Sequence, residues 1–491
     1  MQTINRRALL RAGLAAAAAG SLAACGSDDK TTAAAFVPPD GDEVREAEAR
    51  RKSGTVREVR LTATPGPVDL GGLTVQTWTY DGTAPGREVR VKAGEVVRAT
   101  LVNRLPQETS VHWHGLALRN NADGVPGVTQ QPITAGTEYV YEFTAPHPGT
   151  YWFHPHHGPQ LDRGLYAPLV VEDPAEPLRY DDEWVVVLDD WLDGVDGRDP
   201  DTVLAQVRKG MNMSGDMGGH AMGMSSYLLG GDAGDVTYPH FLLNGRLATA
   251  PATYQGKPGT RVRIRLINAA GDTAFRVALG EHRMTVTHTD GFPVEPVDTD
   301  ALLIGMGERY DVVVTLAGGV FPLVAAAEGK DAAAFAVVRT GSGATPTAAV
   351  RPKELNGRIV AYRNLTPAEP VRLSAKEADR TIRLELTGGM ERYDWAFNGQ
   401  PYDPKRIEPV RTGERVRVDY VNTTTMWHPI HLHGHTFAVG KTGVRKDTAI
   451  VLPGQTLSTE FDADNPGLWM AHCHNVYHAE AGMMTLFGYR R

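Results

Sequence analysis

Residues 472–484 read HCHNVYHAEAGMM. On an extended strand neighbouring side chains point to opposite faces, so His472 and His474 face one way and Cys473 the other. His478 follows five residues after the cysteine and Met483 ten residues after it. One cysteine thiolate, two histidines and a weak axial methionine form the ligand set of a blue-copper electron-transfer site. This stretch therefore predicts such a site, with one histidine supplied from elsewhere in the chain.

Ten of the 17 histidines lie in four short segments: residues 112–114, 154–156, 428–433 and 472–478. In the first two, HWH and HPH, extended backbone would place both rings on the same face. A repeated His-x-His pattern indicates metal binding, although imidazole alone suits copper, zinc, iron or nickel. His428, the first histidine of HPIHLHGH, is the natural supplier of the missing blue-copper ligand.

The other eight histidines of these segments predict a separate cluster that could hold several metal ions. The cysteine is flanked in sequence by two of them, so it can pass electrons from the blue-copper site into the cluster. The eight are His112, His114, His154, His156, His431, His433, His472 and His474.

The motifs HWHG, HPH, HPIHLHGH and HCHNVYHAEAGMM resemble the copper-binding motifs of the three-domain multicopper oxidases, which include laccases and bacterial cuprous oxidases. Two further segments, FLLNGR (241–246) and GERYD (307–311), are similar to the family's middle domain, and the resemblance covers about residues 55–491. It implies an enzyme that takes electrons singly from a donor and reduces dioxygen to water. It also implies four coppers per chain: one type 1, one type 2 and a type 3 pair.

By motif position, the resemblance implies which residues bind each copper. Type 1 copper would be bound by His428, Cys473, His478 and Met483. Type 2 copper would be bound by His112 and His431, and the type 3 pair by His114, His154, His156, His433, His472 and His474. His157 and His435 fall outside the family pattern, and we expect them to pack or hydrogen-bond beside the ligands.

Two acidic residues are candidates for delivering the protons that dioxygen reduction consumes. Asp123, in NADGV (121–125), follows the first motif where related enzymes keep an acid beside type 2 copper. The alternative is that Asp123 and Gly124 only form a turn. Glu480 lies one residue later than the acid of many bacterial relatives, since this chain has Ala479 there. The alternative for Glu480 is a surface position.

Alternating runs such as VRIRL (262–266), together with 53 Gly and 32 Pro, predict an all-β protein. One pattern recurs three times: a glycine, Val-Arg three residues on, and an asparagine nine residues on. It begins at Gly94, Gly259 and Gly413, which indicates three repeated units. The resemblance makes these units cupredoxin-like Greek-key β-sandwich domains, with the cluster between the first and the third. We predict their bounds as 51–173, 174–345 and 346–491.

The N-terminus carries an export pattern. Arg6 and Arg7 precede an apolar run, Ala8 to Ala24, that is too short and too weakly apolar to span a membrane. The run ends in LAACG, which resembles the lipobox of bacterial lipoproteins, whose cysteine is acylated. We therefore predict a twin-arginine lipoprotein signal peptide at 1–25, lipidation of Cys25, a flexible tether at 26–50, and anchoring to the outer face of the bacterial cell membrane. The alternative is an ordinary signal peptide with a chance cysteine.

Cysteine content and charge narrow the function further. With Cys25 acylated, Cys473 has no disulfide partner, which is unusual in an oxidising compartment unless a metal uses the thiol. The net charge of −8 disfavours nucleic-acid binding. Nothing in the sequence specifies an oligomeric state.

A methionine-rich segment, residues 209–227, reads KGMNMSGDMGGHAMGMSSY. The segment has almost no periodic apolar residues beside its methionines, which argues against packing in a core. Thioethers are soft ligands that select Cu(I). The functional hypothesis is a collection site that passes Cu(I) to the type 1 centre; the alternative is a Gly/Met-rich insertion without a role. The candidate ligands are Met211, Met213, Met217, His220, Met222 and Met224.

The sequence thus favours oxidation of Cu(I) by dioxygen, in the service of copper tolerance. The main alternative is a laccase that oxidises small phenols or aromatic amines. Two non-enzymatic alternatives are an extracytoplasmic copper buffer and an envelope scaffold. The scaffold is disfavoured because every ligand position of the family pattern is filled.

Overall fold

The computed structural model describes residues 36–51, 54–210 and 224–491. Three β-sandwich units follow one another along the chain, as predicted. The first unit contains β1 Val56–Asp69, β2 Thr74–Tyr80, β3 Val89–Lys92, β4 Val96–Asn103, β5 His112–His114, β6 Glu138–Thr144, β7 Gly149–His154 and β8 Ala167–Glu172. Its two sheets have the strand orders β2-β1-β4-β6 and β3-β8-β7-β5.

The middle unit is the largest. It contains β9 Asp182–Trp191, β10 Ser225–Ser226, β11 Gly231–Asp232, β12 His240–Leu243, β13 Ala252–Gln255, β14 Arg261–Asn268, β15 Phe275–Leu279, β16 Met284–Thr289, β17 Phe292–Thr299, β18 Ala301–Ile304, β19 Arg309–Thr315, β20 Val320–Ala327, β21 Ala332–Arg339 and β22 Ile359–Val360. Its main sheets have the orders β12-β9-β14-β19-β16-β17 and β13-β21-β20-β15-β18-β22, and β10 pairs with β11.

The third unit repeats this two-sheet design. It contains β23 Arg380–Thr387, β24 Ala396–Phe397, β25 Ile407–Val410, β26 Arg415–Asn422, β27 His428–Leu432, β28 Phe437–Val439, β29 Val444–Lys446, β30 Thr448–Val451, β31 Thr456–Asp462, β32 Leu468–Cys473 and β33 Met484–Tyr489. The orders are β24-β23-β26-β31-β28-β29 and β25-β33-β32-β27-β30.

Helices are short and few in the described ranges. The α-helices are α1 Asp42–Ala49, α2 Pro200–Val207 and α3 Val476–Ala481. Single 3₁₀ turns occur at Asn120–Ala122, Gly158–Asp162, Tyr227–Leu229, Lys353–Asn356, Tyr362–Asn364 and Glu369–Val371. Within the described part of the chain, no helix has the length and apolar character needed to cross a membrane.

The threefold sequence repeat corresponds to a repeated strand ending. Asn103, Asn268 and Asn422 are the last residues of β4, β14 and β26, and all three are buried. Each side-chain amide donates to two main-chain carbonyls and each side-chain oxygen accepts an N–H two residues on. In the first and third units the loop fixed in this way leads into β5 and β27, which carry histidine motifs. The corresponding strand of the middle unit, β15, reads FRVAL.

Two predicted boundaries differ from the structure. The Gly/Ala/Thr/Pro-rich stretch near residue 345 is a loop, since the chain afterwards returns to the middle unit, where β22 pairs with β18. The second half of the predicted tether is folded: Val37 donates to the carbonyl of Tyr489 at 2.8 Å, and Val44 of α1 is buried. The polar composition of this stretch suggested a flexible tether, but apolar side chains lie on one face of α1, and that face is buried.

Candidate metal centres

Three of the four residues predicted for the blue-copper site meet inside the third unit. His428 begins β27, Cys473 ends the neighbouring strand β32, and His478 lies on α3; all three are buried. The Nδ1 atoms of the two histidines are 3.0 Å apart, and the sulfur of Cys473 lies 3.7 Å from Nδ1 of His428 and 3.6 Å from Nδ1 of His478. Met483 is buried beside them, and its carbonyl accepts the N–H of Cys473 at 3.0 Å.

The outer nitrogens of these two histidines are held by oxygen atoms. Nε2 of His428 lies 2.9 Å from the hydroxyl of Thr424, and Nε2 of His478 lies 2.8 Å from the carboxylate of Asp235. Burial lowers the pKa of His478, but Asp235 and Cys473 outweigh burial and raise it to about 10. Below that pKa both ring nitrogens of His478 carry a proton, and a metal ion bound at Nδ1 would displace the proton there. Asp235 belongs to the middle unit and had no sequence signal, because it lies 243 residues from its partner.

The other eight histidines meet between the first and third units. Strand β5 pairs with β7, and β27 pairs with β32, so each pair of motifs lies side by side. Rings from the two units stack across the interface, with centroids 3.8 Å apart for His112 and His433 and 3.8 Å apart for His114 and His431. Three groups have ring nitrogens within 4.8 Å of one another: His112, His114 and His431; His114, His154 and His474; and His156, His433 and His472.

Most of these rings bind an oxygen through one nitrogen and turn the other towards the cluster. His112, His154 and His472 donate from Nδ1 to the carbonyls of Asp123, Pro155 and Cys473, each at 2.8 Å. A carbonyl only accepts, so Nε2 of these three rings carries a bare lone pair. Burial, reinforced by neighbouring rings, holds the pKa well below the ordinary range in His114, His154, His156, His433, His472 and His474.

The donor set fits copper. Among the described residues, Nδ1 of His114, Nε2 of His154 and both ring nitrogens of His474 are buried without a hydrogen-bond partner. Unpartnered buried nitrogen is costly unless something binds it, and neutral imidazole is a ligand for copper. The two arrangements therefore provide one site with a thiolate and a separate site that can hold several ions.

Asp123 lies at the cluster, where the sequence predicted an acid. Its carboxylate accepts from Nδ1 of His433 at 2.9 Å, and its carbonyl accepts from His112. The backbone also turns here, since the N–H of Asp123 donates to the carbonyl of Asn120 at 3.1 Å and Gly124 follows with φ of +81°. The residue is thus both part of a turn and in contact with two cluster histidines.

Glu480 is placed differently. It is partly buried on α3, and its carbonyl accepts from Arg208 just after α2. Burial raises the pKa of its carboxyl, Arg208 lowers it and Asp201 raises it. None of the contacts described for Glu480 is with the eight histidines, so the structure does not bring this predicted residue to the cluster.

The two extra histidines do not belong to the described metal-binding groups. His435 is buried, and its Nε2 lies 2.7 Å from the hydroxyl of Tyr489. His157 is half-buried, and burial lowers its pKa. Both observations agree with a packing or hydrogen-bonding role.

A cavity of about 930 Å³ lies beside the blue-copper site. Its lining includes Asp232, Met390, Glu391, Asp394 and Ala481. Trp395, next in sequence to Asp394, packs against the ring of His478 with centroids 4.5 Å apart. The lining also includes Arg392, which pairs with Asp394 at 2.7 Å, so the carboxylates of Asp232 and Glu391 leave the cavity with a net negative charge, close to the outer edge of the thiolate site.

The methionine-rich segment lies mostly outside the described residues, including Met211, Met213, Met217, His220 and Met222. Its two ends are described. Gly210 packs against the backbone of Glu391, and Ser225, next to the half-buried Met224, pairs with Asp232. Both ends thus adjoin residues of the cavity.

Comparison with known proteins agrees with this geometry. Three family models, each described as multicopper oxidase, match residues 62–176, 182–343 and 376–490. The multicopper oxidase MmcO of Mycobacterium tuberculosis is 48% identical over 99% of this chain and 96% of its own length. This chain belongs to the multicopper oxidase family.

Other members are more distant. The copper resistance protein A homolog of Pseudomonas syringae pv. tomato is 30% identical, over 88% of this chain and 92% of its own length. The laccase from Botrytis aclada superimposes with a TM-score of 0.75 at 25% identity, covering 91% of this chain and 90% of that structure. The multicopper oxidase described here is therefore an oxidoreductase with copper as its cofactor and the cupredoxin-like sandwich fold of its family.

Proposed function

We propose that this multicopper oxidase oxidises Cu(I) with dioxygen as the electron acceptor, and that it protects cells against copper. The observation that carries the proposal is the acidic cavity beside His478, which adjoins both ends of the methionine-rich segment. Carboxylates attract a cation, and thioethers select Cu(I) over harder ions. A relative named for copper resistance supports the same conclusion.

The copper ligands are assigned from the motifs and from the grouping of ring nitrogens. Type 1 copper is held by His428, Cys473, His478 and Met483. Type 2 copper is held by His112 and His431, and the type 3 pair by His114, His154 and His474 on one side and His156, His433 and His472 on the other. When bound, copper supplies one-electron acceptance at the first site and four-electron reduction of dioxygen at the cluster.

The protein's own residues have three roles in this scheme. Asp235 fixes the ring of His478 at the edge that faces the donor. The main chain around Cys473 links the two sites, since His472 and His474 are its neighbours in sequence. Asp123, in contact with His433 and His112, holds and delivers protons at the cluster.

Cu(I) binds first to the methionine-rich segment in this proposal. Met211, Met213, Met217, Met222 and Met224, with His220, offer soft ligands in one short stretch. Cu(I) then passes to Met390 and the carboxylates of the cavity, whose residue Asp394 precedes Trp395 in the sequence.

A second function is favoured by the size of the cavity. A volume of about 930 Å³ is large enough for a small phenol or aromatic amine near the ring of His478. A laccase activity would use the same copper sites but would not need the methionines.

The experiment compares oxygen uptake by the copper-loaded protein with Cu(I) and with a phenol. A variant with the five segment methionines changed to serine is expected to lose at least tenfold in kcat/KM for Cu(I) while keeping its phenol rate. A matched control changes Asn212, Ser214 and Asp216 to alanine in the same segment and should retain both rates. Equal loss of both activities in the methionine variant, or no loss of Cu(I) oxidation, would refute the proposal.

We also propose that the protein is exported through the twin-arginine route and anchored by lipid on Cys25. The sequence RRALLRAG near the N-terminus and LAACG at 22–26 support this. A chain with Cys25→Ser should be released from the membrane fraction and should not incorporate labelled fatty acid. Unchanged membrane association and labelling would contradict it.

A further inference from the structure

The middle unit contributes none of the cluster histidines, yet one of its loops forms part of the cluster wall. This loop, residues 305–309, includes the start of the GERYD motif. Gly307 has φ of +81°, and a Cβ there would lie 2.8 Å from Cδ2 of His474 and 3.1 Å from Cε1 of His114. Only glycine lets the loop approach both rings so closely.

Arg309, at the end of this loop, joins all three units. Its guanidinium donates to both carboxylate oxygens of Asp447 in the third unit, at 2.7 and 2.6 Å. Its Nε donates to the carbonyl of Thr150 in the first unit at 3.0 Å. Both members of the ion pair are fully buried. A two-nitrogen contact of this kind fixes position as well as charge.

Asp447 in turn contacts two cluster histidines from different units. Its Oδ1 lies 3.2 Å from Nε2 of His114, and its carbonyl accepts from Nδ1 of His431 at 2.9 Å. The guanidinium of Arg309 occupies both side-chain oxygens of Asp447, which keeps the group a carboxylate. An ionised carboxylate and a carbonyl can only accept. The proton therefore sits on Nε2 of His114 and Nδ1 of His431, which leaves Nδ1 of His114 and Nε2 of His431 free for metal.

The glycine of the HWHG motif belongs to the same arrangement. Gly115 has φ of +87°, and a Cβ there would collide with the guanidinium of Arg309 and lie 2.7 Å from Oδ2 of Asp447. A side chain at this position would push the ion pair away from His114. The first motif and the middle-unit loop thus fit together around this pair.

We propose that Arg309 and Asp447 are positioning residues through which the middle unit sets the ring proton positions of His114 and His431 and so makes the cluster bind copper tightly, both at the type 2 site and at the type 3 site of His114. The inference rests on the copper assignment proposed above. It differs from a purely structural ion pair, which would stabilise the interface without affecting one copper more than another.

The test measures copper content, the type 2 electron paramagnetic resonance signal and the blue type 1 absorption in the full chain. Asp447→Asn is expected to bind the cluster coppers held by His114 and His431 about 10- to 100-fold more weakly and to keep type 1 copper, because the Asp447 carboxylate lies 3.2 Å from Nε2 of His114 and 3.5 Å from Nδ1 of His431. Arg309→Lys should show a smaller loss in the same direction, because lysine cannot make the two-nitrogen contact. The matched control is Asp193→Asn, whose buried carboxylate pairs with Arg163 at 2.7 Å between the first and middle units.

The outcomes separate this inference from the copper assignment. His431→Ala is the reference: if it keeps the type 2 signal, the assignment itself is wrong. If His431→Ala loses that signal while Asp447→Asn keeps wild-type affinity, the positioning role is wrong. Equal loss of type 1 and type 2 copper in Asp447→Asn would also overturn it. Nitrogen NMR of the copper-free chain should show defined ring tautomers for both histidines in the wild type. In Asp447→Asn it should show mixed tautomers for His114 and a smaller change for His431, whose Nδ1 keeps the main-chain carbonyl of residue 447.

Discussion

Individual ring nitrogens organise the two copper sites. Around the cluster, main-chain carbonyls of Asp123, Pro155 and Cys473 accept a proton from one side of an imidazole and leave the other side free for metal. At the thiolate site the side chains of Thr424 and Asp235 hold the outer nitrogens in the same way. Such contacts set ligand orientation, which governs metal affinity and reactivity.

Asp123→Asn tests the proton role at this scale. Asparagine keeps one oxygen for Nδ1 of His433 but cannot release a proton, so oxygen uptake should fall by about 100-fold with all four coppers bound. Steady-state oxygen uptake, together with copper content, measures this. Full turnover with a complete copper complement would show that Asp123 forms only the turn.

Glu480→Gln serves as the comparison. Its described contacts are with Arg208 rather than with the cluster, so we expect the pH-rate profile for Cu(I) oxidation to keep its shape and midpoints. The profile is measured by oxygen uptake across the active pH range. A displaced limb in this variant would assign Glu480 a proton role that its position does not suggest.

The sequence pointed to the candidate ligands but not to the residues that hold them. The ten histidines, Cys473 and Met483 could be found because their spacing itself carries the chemistry. Asp235 and Asp447 could not, because each depends on a partner far along the chain: 243 residues away for Asp235 and 138 residues away for Asp447 and Arg309. Glu480 was overestimated because its sequence position resembles that of a family acid while α3 directs its contacts towards Arg208.

At the level of strands, all three units share one feature: a central strand that ends at a buried asparagine. The central strands β4, β14 and β26 pair in parallel with the first strand of their sheet and end at a buried asparagine. The repeat was visible in the sequence because one side chain satisfies two main-chain groups of the following loop and one carbonyl of a distant segment: that of Ile133, Ile304 or Val451. In two of the three units that loop delivers a histidine motif.

Asn268→Ala should therefore destabilise the middle unit without altering the copper ligands. It leaves the carbonyls of Thr273 and Ile304 and the N–H of Ala270 without their buried partner, at a cost of about 3 kcal/mol. Denaturant unfolding measures the change, and Asn268→Asp should lose at least as much as the alanine variant, because its buried carboxylate would face the carbonyl oxygens of Thr273 and Ile304. A change below about 0.5 kcal/mol in the alanine variant would contradict this role.

A buried ion-pair network on β14 and β19 predicts a pH effect. Burial raises the pKa of Asp311, but Arg263 and Arg265 outweigh it and bring the pKa to about 2, against an ordinary value of 3.8. A lowered folded-state pKa stabilises the fold above pH 3.8 and loses that contribution as the pH falls towards 2. The full contribution corresponds to about 2 kcal/mol.

Asp311→Asn lacks this titration. The difference in unfolding free energy between wild type and variant should stay constant from pH 7 down to about 4.5 and then shrink towards pH 3. Denaturant unfolding at several pH values measures it. A difference that grows on acidification would show that the sign of the shift is wrong.

In the whole molecule, each unit makes a different contribution to the two copper sites. The third unit holds the thiolate site, and the first and third together form the histidine cluster. The middle unit touches both sites, through Asp235 at one and Arg309 at the other. The N-terminal segment joins the outer two units, since Phe36 bridges to Arg490 and Glu48 accepts from Thr144. The sequence predicted the three units. It did not predict the contact of the N-terminal segment with them, because the polar composition of residues 26–50 suggested a flexible tether.

The most direct test of the proposed reaction is the ratio of Cu(I) oxidised to dioxygen consumed by the copper-loaded protein, with hydrogen peroxide assayed in the same mixture. Cys473→Ser, which removes the thiolate that links donor and cluster, gives the background from spontaneous oxidation. We predict four Cu(I) per dioxygen, no peroxide, and background rates in the Cys473→Ser variant. Two Cu(I) per dioxygen with accumulating peroxide, or equal rates in the variant, would contradict it.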